Sequence, residues 1–409
     1  MNHAHRFPRT RGRWGVAAVL GLVAALGLAL LPSVADAAKK KGTKLTVMSR
    51  NLYLGADLTP ALQANTLTGV IDAGGEIVNQ VHATKFPSVR AASIAAEIKK
   101  RKPDIVGLQE AAWWRTAPTN FGVISGGPSA TQTDTLGGDF LTDLLNAVNS
   151  GKASTAAKKK KKGVRYTLAV VKPEFDIELP VNDDGNPGAD HNERLTMRDA
   201  ILVRKGVGIK FSNPTTGTFN TLLRERVGGP SGVNVDVTRG WATINVKARG
   251  RSLHIVDTHL EAFDSQGNNQ TNQGTSLGKG DVRAAQATQL ISPQPNGANR
   301  AGKIPTILIG DMNSDDDTVP NNGDRNAYNA LLAGGFTERS TANPLGCCLN
   351  DPFLVGGPNS INDFDHQVDH VLANKKKVKF VKGFVDGRAP VNGLYPSDHA
   401  ALTSVLKIK

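Results

Sequence analysis

The sequence predicts an α+β sandwich, and three observations support this fold class. Short apolar runs of strand length recur along the chain of 409 residues. Several of these runs alternate apolar and polar residues, which is the pattern of a half-buried strand. Few helical patterns lie between the runs, and some runs form adjacent, hairpin-like pairs. Many strands with few helices favour a sandwich over a doubly wound parallel sheet.

Apolar runs bounded by polar or glycine-rich segments are predicted as strands. In chain order they are Leu45–Met48, Ile105–Leu108, Tyr166–Val171, Ala200–Arg204, Trp241–Val246, Leu253–Val256, Thr306–Ile309, Val368–Leu372, Val378–Val381 and Ala401–Ile408.

Other segments have the apolar spacing of a helix. Ser88–Lys102 places its apolar residues on one face and stops at Pro103, which cannot continue a helix. The segments Phe140–Val148, Asp281–Leu290 and Asp324–Ala333 show similar spacing. The segments between these elements are rich in Gly, Asn, Ser and Thr and are predicted as loop insertions of one domain. They cover residues 55–86, 115–138, 149–163, 181–192, 264–280 and 341–362.

The N-terminus has the pattern of an export signal. Four arginines precede an uncharged apolar run from Trp14 to Leu31, and Ala35-Asp36-Ala37 is a small-x-small cleavage site. We therefore predict a secreted protein with a signal peptide at residues 1–37, a basic linker at residues 38–44 and one domain at residues 45–409. The apolar run is slightly long for a signal peptide, so an uncleaved membrane anchor is the alternative. No later stretch of the sequence reaches the ~20 apolar residues that span a bilayer.

The net charge of +13 is concentrated in short segments. The leader, Lys39–Lys41 and Lys158–Lys162 carry most of it, which leaves little basicity for the rest of the chain. Flexible lysine runs attract nucleic-acid phosphates and anionic membrane surfaces alike. Simple solvation of a loop is an equal interpretation of the Lys158–Lys162 run. The charge therefore permits a nucleic-acid partner without demanding one.

The two cysteines, Cys347 and Cys348, are adjacent and make no disulfide framework. A zinc site requires more ligands at other spacings. We expect a local redox or packing detail rather than a functional thiol.

Acids, amides and histidines stand at or beside the ends of five apolar runs. They are Gln109 and Glu110, Asp257 and His259, Asp311 and Asn313, Asp369 and His370, and Asp398 and His399. Loops at strand ends carry chemistry on a rigid frame. This pattern therefore predicts a hydrolytic centre built on a β scaffold.

Six short motifs occur in the order seen in the endonuclease/exonuclease/phosphatase superfamily, which the chain resembles from about Leu45 to Leu406. The motifs are Arg50-Asn51-Leu-Tyr, Leu108-Gln109-Glu110, Thr258-His259-Leu260, Gly310-Asp311-Met-Asn313-Ser314, Val368-Asp369-His370-Val and Ser397-Asp398-His399. Any one motif is weak, whereas six in order are specific. The resemblance implies a four-layered α/β sandwich, in which two packed, mainly antiparallel β-sheets are flanked by helices.

The resemblance implies a metal site with Glu110 as the principal ligand and with Asn51 and Asp398 beside it. A phosphodiester carries negative charge that repels hydroxide, so its hydrolysis needs a cation and hydrogen-bond donors at the phosphoryl oxygens. Mg²⁺ suits such a site because it binds through few carboxylates and retains waters. Mn²⁺ and Ca²⁺ are alternatives, and Asn51 is also predicted to contact the phosphate.

The remaining candidates divide the work of hydrolysis. Asp311 is predicted to orient or deprotonate the attacking water, and Asn313 to hold the phosphate or that water. His399 and Asp369 are predicted as a coupled pair, in which the carboxylate keeps the imidazole protonated next to the phosphate. His259 is the candidate to protonate the leaving oxygen or to bind the phosphate.

Two residues are weaker candidates. Arg239 is predicted to clamp a phosphate oxygen bidentately, with an ordinary surface arginine as the alternative. Asp199 stands where members of the superfamily often place an asparagine near the phosphate. That departure leaves the role of Asp199 open.

These features predict a secreted, Mg²⁺-dependent phosphodiesterase and, as its first substrate class, nucleic acid. A sphingomyelinase-like activity at an anionic or sphingolipid membrane surface is the alternative, and a phosphomonoesterase acting on inositol phosphates comes third. A non-catalytic binding module would require that metal or base residues be missing, and none of the main set is missing. We expect a monomer. The sequence leaves the natural substrate, the cleavage pattern and the number of metal ions open.

Overall fold

The computed structural model describes most of the chain from residue 42 onward. The described residues are 42–129, 131–132, 138–150, 163–263, 280–293, 295, 297–299, 304–315, 325–341, 344–374 and 377–409. The predicted leader and the runs Lys39–Lys41 and Lys158–Lys162 lie outside these ranges. Residues Gly42–Lys409 form one compact unit.

A seven-stranded mixed sheet forms one half of the sandwich. Its strands are β1 (Thr43–Asn51), β2 (Ile105–Gln109), β3 (Trp113–Pro118), β4 (Tyr166–Val181), β5 (His191–Arg204), β14 (Val378–Asp386) and β15 (Ala401–Ile408). The order is β14-β15-β1-β2-β5-β3, and β4 also pairs with β5. β1 and β2 are parallel, whereas the other pairs are antiparallel.

A six-stranded mixed sheet forms the other half. Its strands are β6 (Ile209–Thr218), β9 (Gly240–Ala248), β10 (Arg251–His259), β11 (Thr306–Asp311), β12 (Thr337–Glu338) and β13 (Asp369–Ala373). The order is β12-β13-β11-β10-β9-β6, with only β10 and β11 parallel among these pairs. A separate hairpin consists of β7 (Leu223–Val227) and β8 (Val233–Val237).

The helices lie mostly in the first third of the chain. The described α-helices are α1 (Thr59–Gln63), α2 (Leu67–Ala83), α3 (Ala91–Arg101), α4 (Phe140–Asn149), α5 (Asp281–Leu290) and α6 (Asn326–Ala333). A π-helical turn at Phe86–Arg90 leads into α3. Single 3₁₀ turns occupy Phe121–Ser125, Gly229–Ser231 and Ser360–Asp363. Within the described residues, no helix is both long and apolar enough to cross a membrane.

Three apolar clusters separate four layers. The central cluster packs Val47 and Ile201 of the first sheet against Ile244 and Ile307 of the second. A second cluster fills the space between the outer face of the first sheet and α2, α3 and α4. A third lies between the outer face of the second sheet and α5 and α6. The predicted four-layered sandwich is therefore confirmed, and each buried Val, Leu or Ile contributes about 1.5–3 kcal/mol to it.

All the predicted strands and helices occur, with shifted ends, but the segment at residues 55–86 is not a loop. It contains α2, whose N-cap Thr66 accepts a hydrogen bond from the Gly69 amide at 3.0 Å. Val70, Ile77 and Val78 recur at helical spacing and are buried. The helix also carries Gly75, where an added Cβ would lie 1.6 Å from the Asn182 carbonyl oxygen. The end of β4 therefore approaches α2 so closely that residue 75 must be glycine, and glycine weakens the helical pattern of the sequence.

Candidate active site

The ends of several strands place polar side chains at one edge of the two sheets. Asn51 of β1 lies beside Gln109 of β2 in parallel register. His259 of β10 lies beside Asp311 of β11 in parallel register, and Asp311 lies opposite Asp369 of β13. Parallel strands bring their carboxyl ends together, and an antiparallel neighbour adds its first residue to the same edge. The structure therefore brings together the residues that the sequence predicted.

The Asn51 side chain connects two of the predicted carboxylates. Its Nδ2 donates to Asp311 Oδ2 at 3.0 Å and to Glu110 Oε1 at 3.2 Å. Its Oδ1 accepts from the Tyr53 amide at 2.9 Å. With both ends of the amide engaged, Asn51 is fixed between the two acids.

Glu110 is held at the end of β2 by an unusual backbone conformation. Its φ is +54°, which only a few per cent of non-glycine residues adopt. Its Oε2 accepts from the Leu54 amide at 2.7 Å. Burial and the neighbouring Asp398 raise the pKa of Glu110 to about 7. A carboxyl whose ionisation is opposed by a neighbouring acid favours a bound cation.

The donor set at this position fits a hard divalent ion. Glu110 and Asp398 both line the cleft, so two carboxylates face the same solvent space. Mg²⁺ takes one or two carboxylates and completes its shell with water, so a denser cluster is not required. Clusters of three His, Cys, Asp or Glu residues occur among the described residues at Cys347/Cys348/His399, Glu174/Asp199/His259 and Asp183/Asp190/His191, and the first two include the active-site histidines. The Asn51 oxygen accepts from Tyr53, so its predicted contact with the metal stays a prediction.

Asp311 is the centre of the site. It is 1% exposed, and burial is the main cause that raises its pKa. Its Oδ1 accepts from the Asn313 amide at 2.9 Å. Its Oδ2 lies 3.6 Å from His259 Nε2 and 3.6 Å from His399 Nε2. One carboxylate oxygen therefore faces two imidazoles and the Asn51 amide.

The Gly310-Asp-Met-Asn turn has a geometric reason for its glycine. Gly310 has φ +145°, and an added Cβ would lie 2.0 Å from the Thr258 carbonyl oxygen. Asn313 also has a positive φ, +45°, which asparagine tolerates better than most residues. Its Nδ2 donates to the Leu260 carbonyl at 2.9 Å. Asn313 thus ties the end of β11 to the end of β10.

His399 and Asp369 form the predicted pair. His399 Nδ1 donates to Asp369 Oδ2 at 2.8 Å, and Ser49 Oγ donates to Asp369 Oδ1 at 3.1 Å. Burial disfavours the charged ring, but Asp398, Asp311 and Asp369 together raise the pKa of His399 well above its ordinary value. His399 is therefore an imidazolium at neutral pH.

The adjacent cysteines lie against this imidazolium. Cys347 and Cys348 are joined in a disulfide, and their Sγ atoms lie 3.6 and 3.7 Å from His399 Nε2. The sequence predicted a local redox or packing detail, which stays a prediction, and the structure places the pair beside the active site.

His259 has the opposite surroundings. Arg239 donates from a terminal guanidinium nitrogen to His259 Nδ1 at 3.0 Å. Because a guanidinium has no acceptor, Nδ1 must accept and the ring proton is on Nε2. Burial, Arg239 and His399 lower the pKa of His259 well below its ordinary value. His259 is therefore a neutral ring whose Nε2–H points toward Asp311 and Glu110.

Arg239 is not an ordinary surface arginine. It is 5% exposed and lies 3.5 Å from Glu174 Oε2 and 3.5 Å from Glu261 Oε2. The guanidinium lines the cleft and orients His259 at the same time. Its predicted contact with a phosphate oxygen stays a prediction.

Sequence reasoning did not find Glu174 and Glu261 and left Asp199 open. Glu174 Oε1 accepts from the Gly240 amide at 2.8 Å, and burial raises its pKa to about 7. Burial, Glu174 and Asp257 raise the pKa of Asp199 well above its ordinary value, and the carboxyl oxygens of Asp199 have no hydrogen-bond partner among the described residues. The neutral form of Asp199 is therefore favoured, and its carboxyl lies beside Glu174 and His259. A protonated aspartic acid has the shape and the donor of the asparagine expected at this position.

A cleft with a volume of about 280 Å³ opens above these residues. Its polar part contains Glu110, Asp398 and Arg239, and the segment 349–352 forms one rim. Much of the remaining wall is apolar and includes Leu54 and Phe175. The site thus combines a charged centre with an apolar surround.

A four-layered sandwich with paired acids, amides and histidines at one sheet edge defines a class of phosphoester hydrolases. The chain belongs to the Endonuclease/Exonuclease/phosphatase family, whose model matches residues 62–399. Among curated proteins, no sequence matches the chain.

Solved structures of the same family resemble the chain at low identity. An endonuclease/exonuclease/phosphatase from Beutenbergia cavernae has 17% identity and a TM-score of 0.48, over 90% of this chain and 72% of that one. A Bacteroides thetaiotaomicron mannosyl-6-phosphatase has 19% identity and a TM-score of 0.44, over 88% and 99%. D. rerio TDP2, complexed with a single-strand DNA product, has 15% identity and a TM-score of 0.42, over 89% and 98%.

Proposed function

We propose that the protein is an exported, metal-dependent phosphodiesterase. The observation that carries this proposal is the environment of Asp311. Its Oδ2 is held by the Asn51 amide and faces the Nε2 atoms of His259 and His399 at 3.6 Å each. A carboxylate with a raised pKa, flanked by one charged and one neutral donor, suits a base next to an anionic substrate.

In the proposed hydrolysis, Asp311, His399 and His259 each have one role. Asp311 takes a proton from the attacking water as the water oxygen bonds to phosphorus. The bond between phosphorus and the ester oxygen on the opposite side breaks, the leaving oxygen takes a proton from solvent water and departs as an alcohol, and Asp311 returns its proton to solvent. The His399 imidazolium stabilises charge on a phosphoryl oxygen, and the neutral His259 donates a hydrogen bond through Nε2–H. Positioning and electrostatics supply most of the rate in such a reaction.

Glu110 and Asp398, with Asn51 beside them, would hold the divalent cation. A bound Mg²⁺ supplies positive charge that neutralises the phosphoryl oxygens. Mn²⁺ and Ca²⁺ are the alternatives. The raised pKa of Glu110 supports this assignment because a cation would relieve the repulsion between the two acids.

Hydrolysis of bis(p-nitrophenyl) phosphate tests the assignment directly. We expect activity with Mg²⁺ or Mn²⁺, loss of activity in EDTA and recovery on adding the metal back. Glu110→Ala and Asp311→Ala should each abolish turnover while the circular dichroism spectrum is retained. Glu76→Ala, at an exposed carboxylate of α2, is the matched control. Full activity in either site variant would overturn the assignment.

Two classes of phosphodiester are candidate substrates. The sequence favours nucleic acid through three features together, which are the predicted export, the basic lysine runs and the resemblance to a superfamily with many nucleases. The apolar wall of the cleft favours the second candidate, a diester with an apolar substituent. Plasmid DNA, RNA, sphingomyelin and an inositol polyphosphate, offered side by side with Mg²⁺ or Ca²⁺, distinguish the candidates. Deleting Lys158–Lys162 should weaken DNA binding and flatten its salt dependence if the run steers nucleic acid.

Export is proposed from the leader sequence alone. Secretion of the full chain should yield a mature N-terminus after Ala37, which N-terminal sequencing reads directly. Retention of residues 1–37 on a membrane-bound product would instead support the anchor.

A further inference from the structure

An apolar cavity with a volume of about 90 Å³ lies next to the active-site cleft. Its walls come from α1, α2, β4 and the hairpin of β7 and β8. Leu58, Leu62 and Phe175 line both the cavity and the cleft. The two spaces therefore meet at these three residues, and the cleft also contains Glu110, Asp398 and Arg239.

The cavity offers almost no polar contact. Every residue that lines it is apolar except Glu193. The Trp114 indole N–H is already donated to the Leu54 carbonyl at 2.8 Å. Glu193 accepts from Thr116 Oγ1 at 2.9 Å, and burial raises the pKa of Glu193 to about 8, which favours its neutral carboxyl. This apolar lining is suited to a hydrocarbon group of a ligand.

The apolar wall is incompletely covered by the protein itself. Phe175, Ile177 and Leu179 alternate along β4 and so share one face, and each is only partly buried. On the other side, α1 buries none of its own residues. Covering apolar surface of this kind is favourable because it removes that surface from water. An apolar group entering from the cleft would therefore be stabilised.

We propose that this cavity binds an aliphatic ester substituent of the substrate, so that the preferred substrates are phosphodiesters carrying a short hydrocarbon chain next to the scissile phosphate. This inference rests on the proposed phosphodiesterase function and adds its substrate class. A nucleobase fits less well, because its ring nitrogens and carbonyls would lose hydrogen bonds to water without replacement.

The size of the cavity sets a chain length. An apolar cavity of roughly 150 Å³ admits one benzene ring, with its six carbons. On that scale about 90 Å³ admits about four carbons without movement of the walls. The benefit of a longer chain should therefore level off near butyl.

A series of p-nitrophenyl alkyl phosphates tests the proposal. Release of p-nitrophenolate from the methyl, ethyl, butyl and octyl diesters gives kcat/KM as a function of chain length. Full burial predicts a rise of up to about fourfold for each added methylene. The rise should stop at about four carbons. Values independent of chain length in an active enzyme would show that the cavity is only a packing void.

Two variants of α1 separate the cavity from general hydrophobicity. Ala61 lines the cavity and is partly buried, so Ala61→Phe should fill it and reduce the butyl-to-methyl ratio of kcat/KM to about one. Gln63 is exposed on the same helix, so Gln63→Phe adds an aromatic ring outside the cavity and should leave the ratio unchanged. A ratio unchanged in Ala61→Phe would overturn the proposal. Ala61→Leu provides a smaller filling residue if the phenylalanine variant is unfolded by circular dichroism.

Calorimetric binding separates failure of this inference from failure of the proposed function. Butyl phosphate should bind the wild-type protein at least tenfold more tightly than methyl phosphate, and Ala61→Phe should remove the difference. This measurement does not depend on turnover. Absence of hydrolysis for every diester, with the binding difference intact, would overturn the phosphodiesterase assignment and leave the cavity assignment standing. Equal binding of both phosphates would overturn the cavity assignment.

Discussion

His259 and His399 lie at the same distance from the Oδ2 atom of Asp311 but differ in charge, since His399 is an imidazolium and His259 is a neutral ring. His259 Nε2 and His399 Nε2 are each 3.6 Å from Asp311 Oδ2. The ring of His259 receives a hydrogen bond on Nδ1 from Arg239, whereas the ring of His399 donates from Nδ1 to Asp369. The pKa of His259 is accordingly lowered and that of His399 is raised. Both rings are buried, but Asp398, Asp311 and Asp369 raise the pKa of His399, whereas Arg239 and His399 add to the effect of burial on His259.

This difference places two kinds of donor around one base. The charged ring can neutralise a phosphoryl oxygen, and the neutral ring can donate a hydrogen bond without adding repulsion toward Arg239. Two imidazoliums in this space would repel each other and Arg239, and two neutral rings would leave Asp311 and Asp369 without a cation. The asymmetry therefore permits both acids to remain close together in a buried site.

The largest expected effect follows from removing the carboxylate that both histidines face. Asp311→Asn keeps the shape of the side chain but cannot accept a proton from water. We expect kcat for bis(p-nitrophenyl) phosphate to fall by about 10²–10⁴-fold, the range of general-base catalysis, with a small change in KM. Steady-state kinetics at saturating Mg²⁺ measure this. A fall of less than about tenfold would move the base to another residue.

The next effect concerns the charged histidine. Asp369→Asn removes the acid that His399 Nδ1 contacts, so the pKa of His399 should fall. We expect kcat to decrease by about 10–100-fold at pH 7, which is typical for the loss of a partner that orients a catalytic group. Kinetics combined with the histidine ¹H–¹³C spectrum, which reports the ring charge, test both parts. Unchanged ring charge would show that Asp398 and Asp311 suffice to hold the proton.

A smaller effect is expected on the neutral side. Arg239→Lys keeps a cation between Glu174 and Glu261 but loses the planar fork that holds His259 Nδ1. The ring would then exchange between tautomers, and kcat should decrease by roughly tenfold. The ¹⁵N shifts of His259 report the tautomer populations. Retention of a single Nε2–H tautomer would show that Arg239 does not position the ring.

The residues of this comparison were predictable from the sequence, but their charge states were not. His259, His399, Asp311 and Asp369 each stand at the end or start of an apolar run, so the pattern locates them on one edge of a β scaffold. The pairing of Arg239 with His259 depends on β9 and β10 lying antiparallel, which places Gly240 opposite His259. No local signal in the sequence encodes that register.

The fold shows the same division between local and non-local information. The strands at Ile105–Gln109 and Thr306–Asp311 are fully buried apolar runs and are easily recognised. Helix α2 was predicted as part of a loop because its glycines lower helix propensity, although Gly75 is required by contact with the end of β4. The Glu174 carboxyl was missed because β4 was expected to end at Val171. For both α2 and β4, contacts with segments distant in the sequence determine the structure, and the local sequence pattern does not predict it.

The pH profile provides the most direct test of the difference between the two rings. Glu110, with a pKa of about 7, must lose its proton to bind a cation, so activity should fall as pH drops, and saturating Mg²⁺ should shift this limb to lower pH. His399 must keep its proton, so activity should fall again as pH rises through its raised pKa. Asp369→Asn should move this alkaline limb to lower pH by one unit or more.

The neutral ring should contribute no limb to the same profile. Burial, Arg239 and His399 lower the pKa of His259 well below its ordinary value, so the ring stays neutral through the neutral and alkaline range. His259→Gln retains a side-chain donor and should lower kcat at every pH without moving either limb. The rate of this variant relative to wild type, measured at constant saturating Mg²⁺, should therefore be flat across that range. A limb near pH 6.5 that disappears in His259→Gln would show that both rings titrate, and the asymmetry around Asp311 would then arise only when substrate binds.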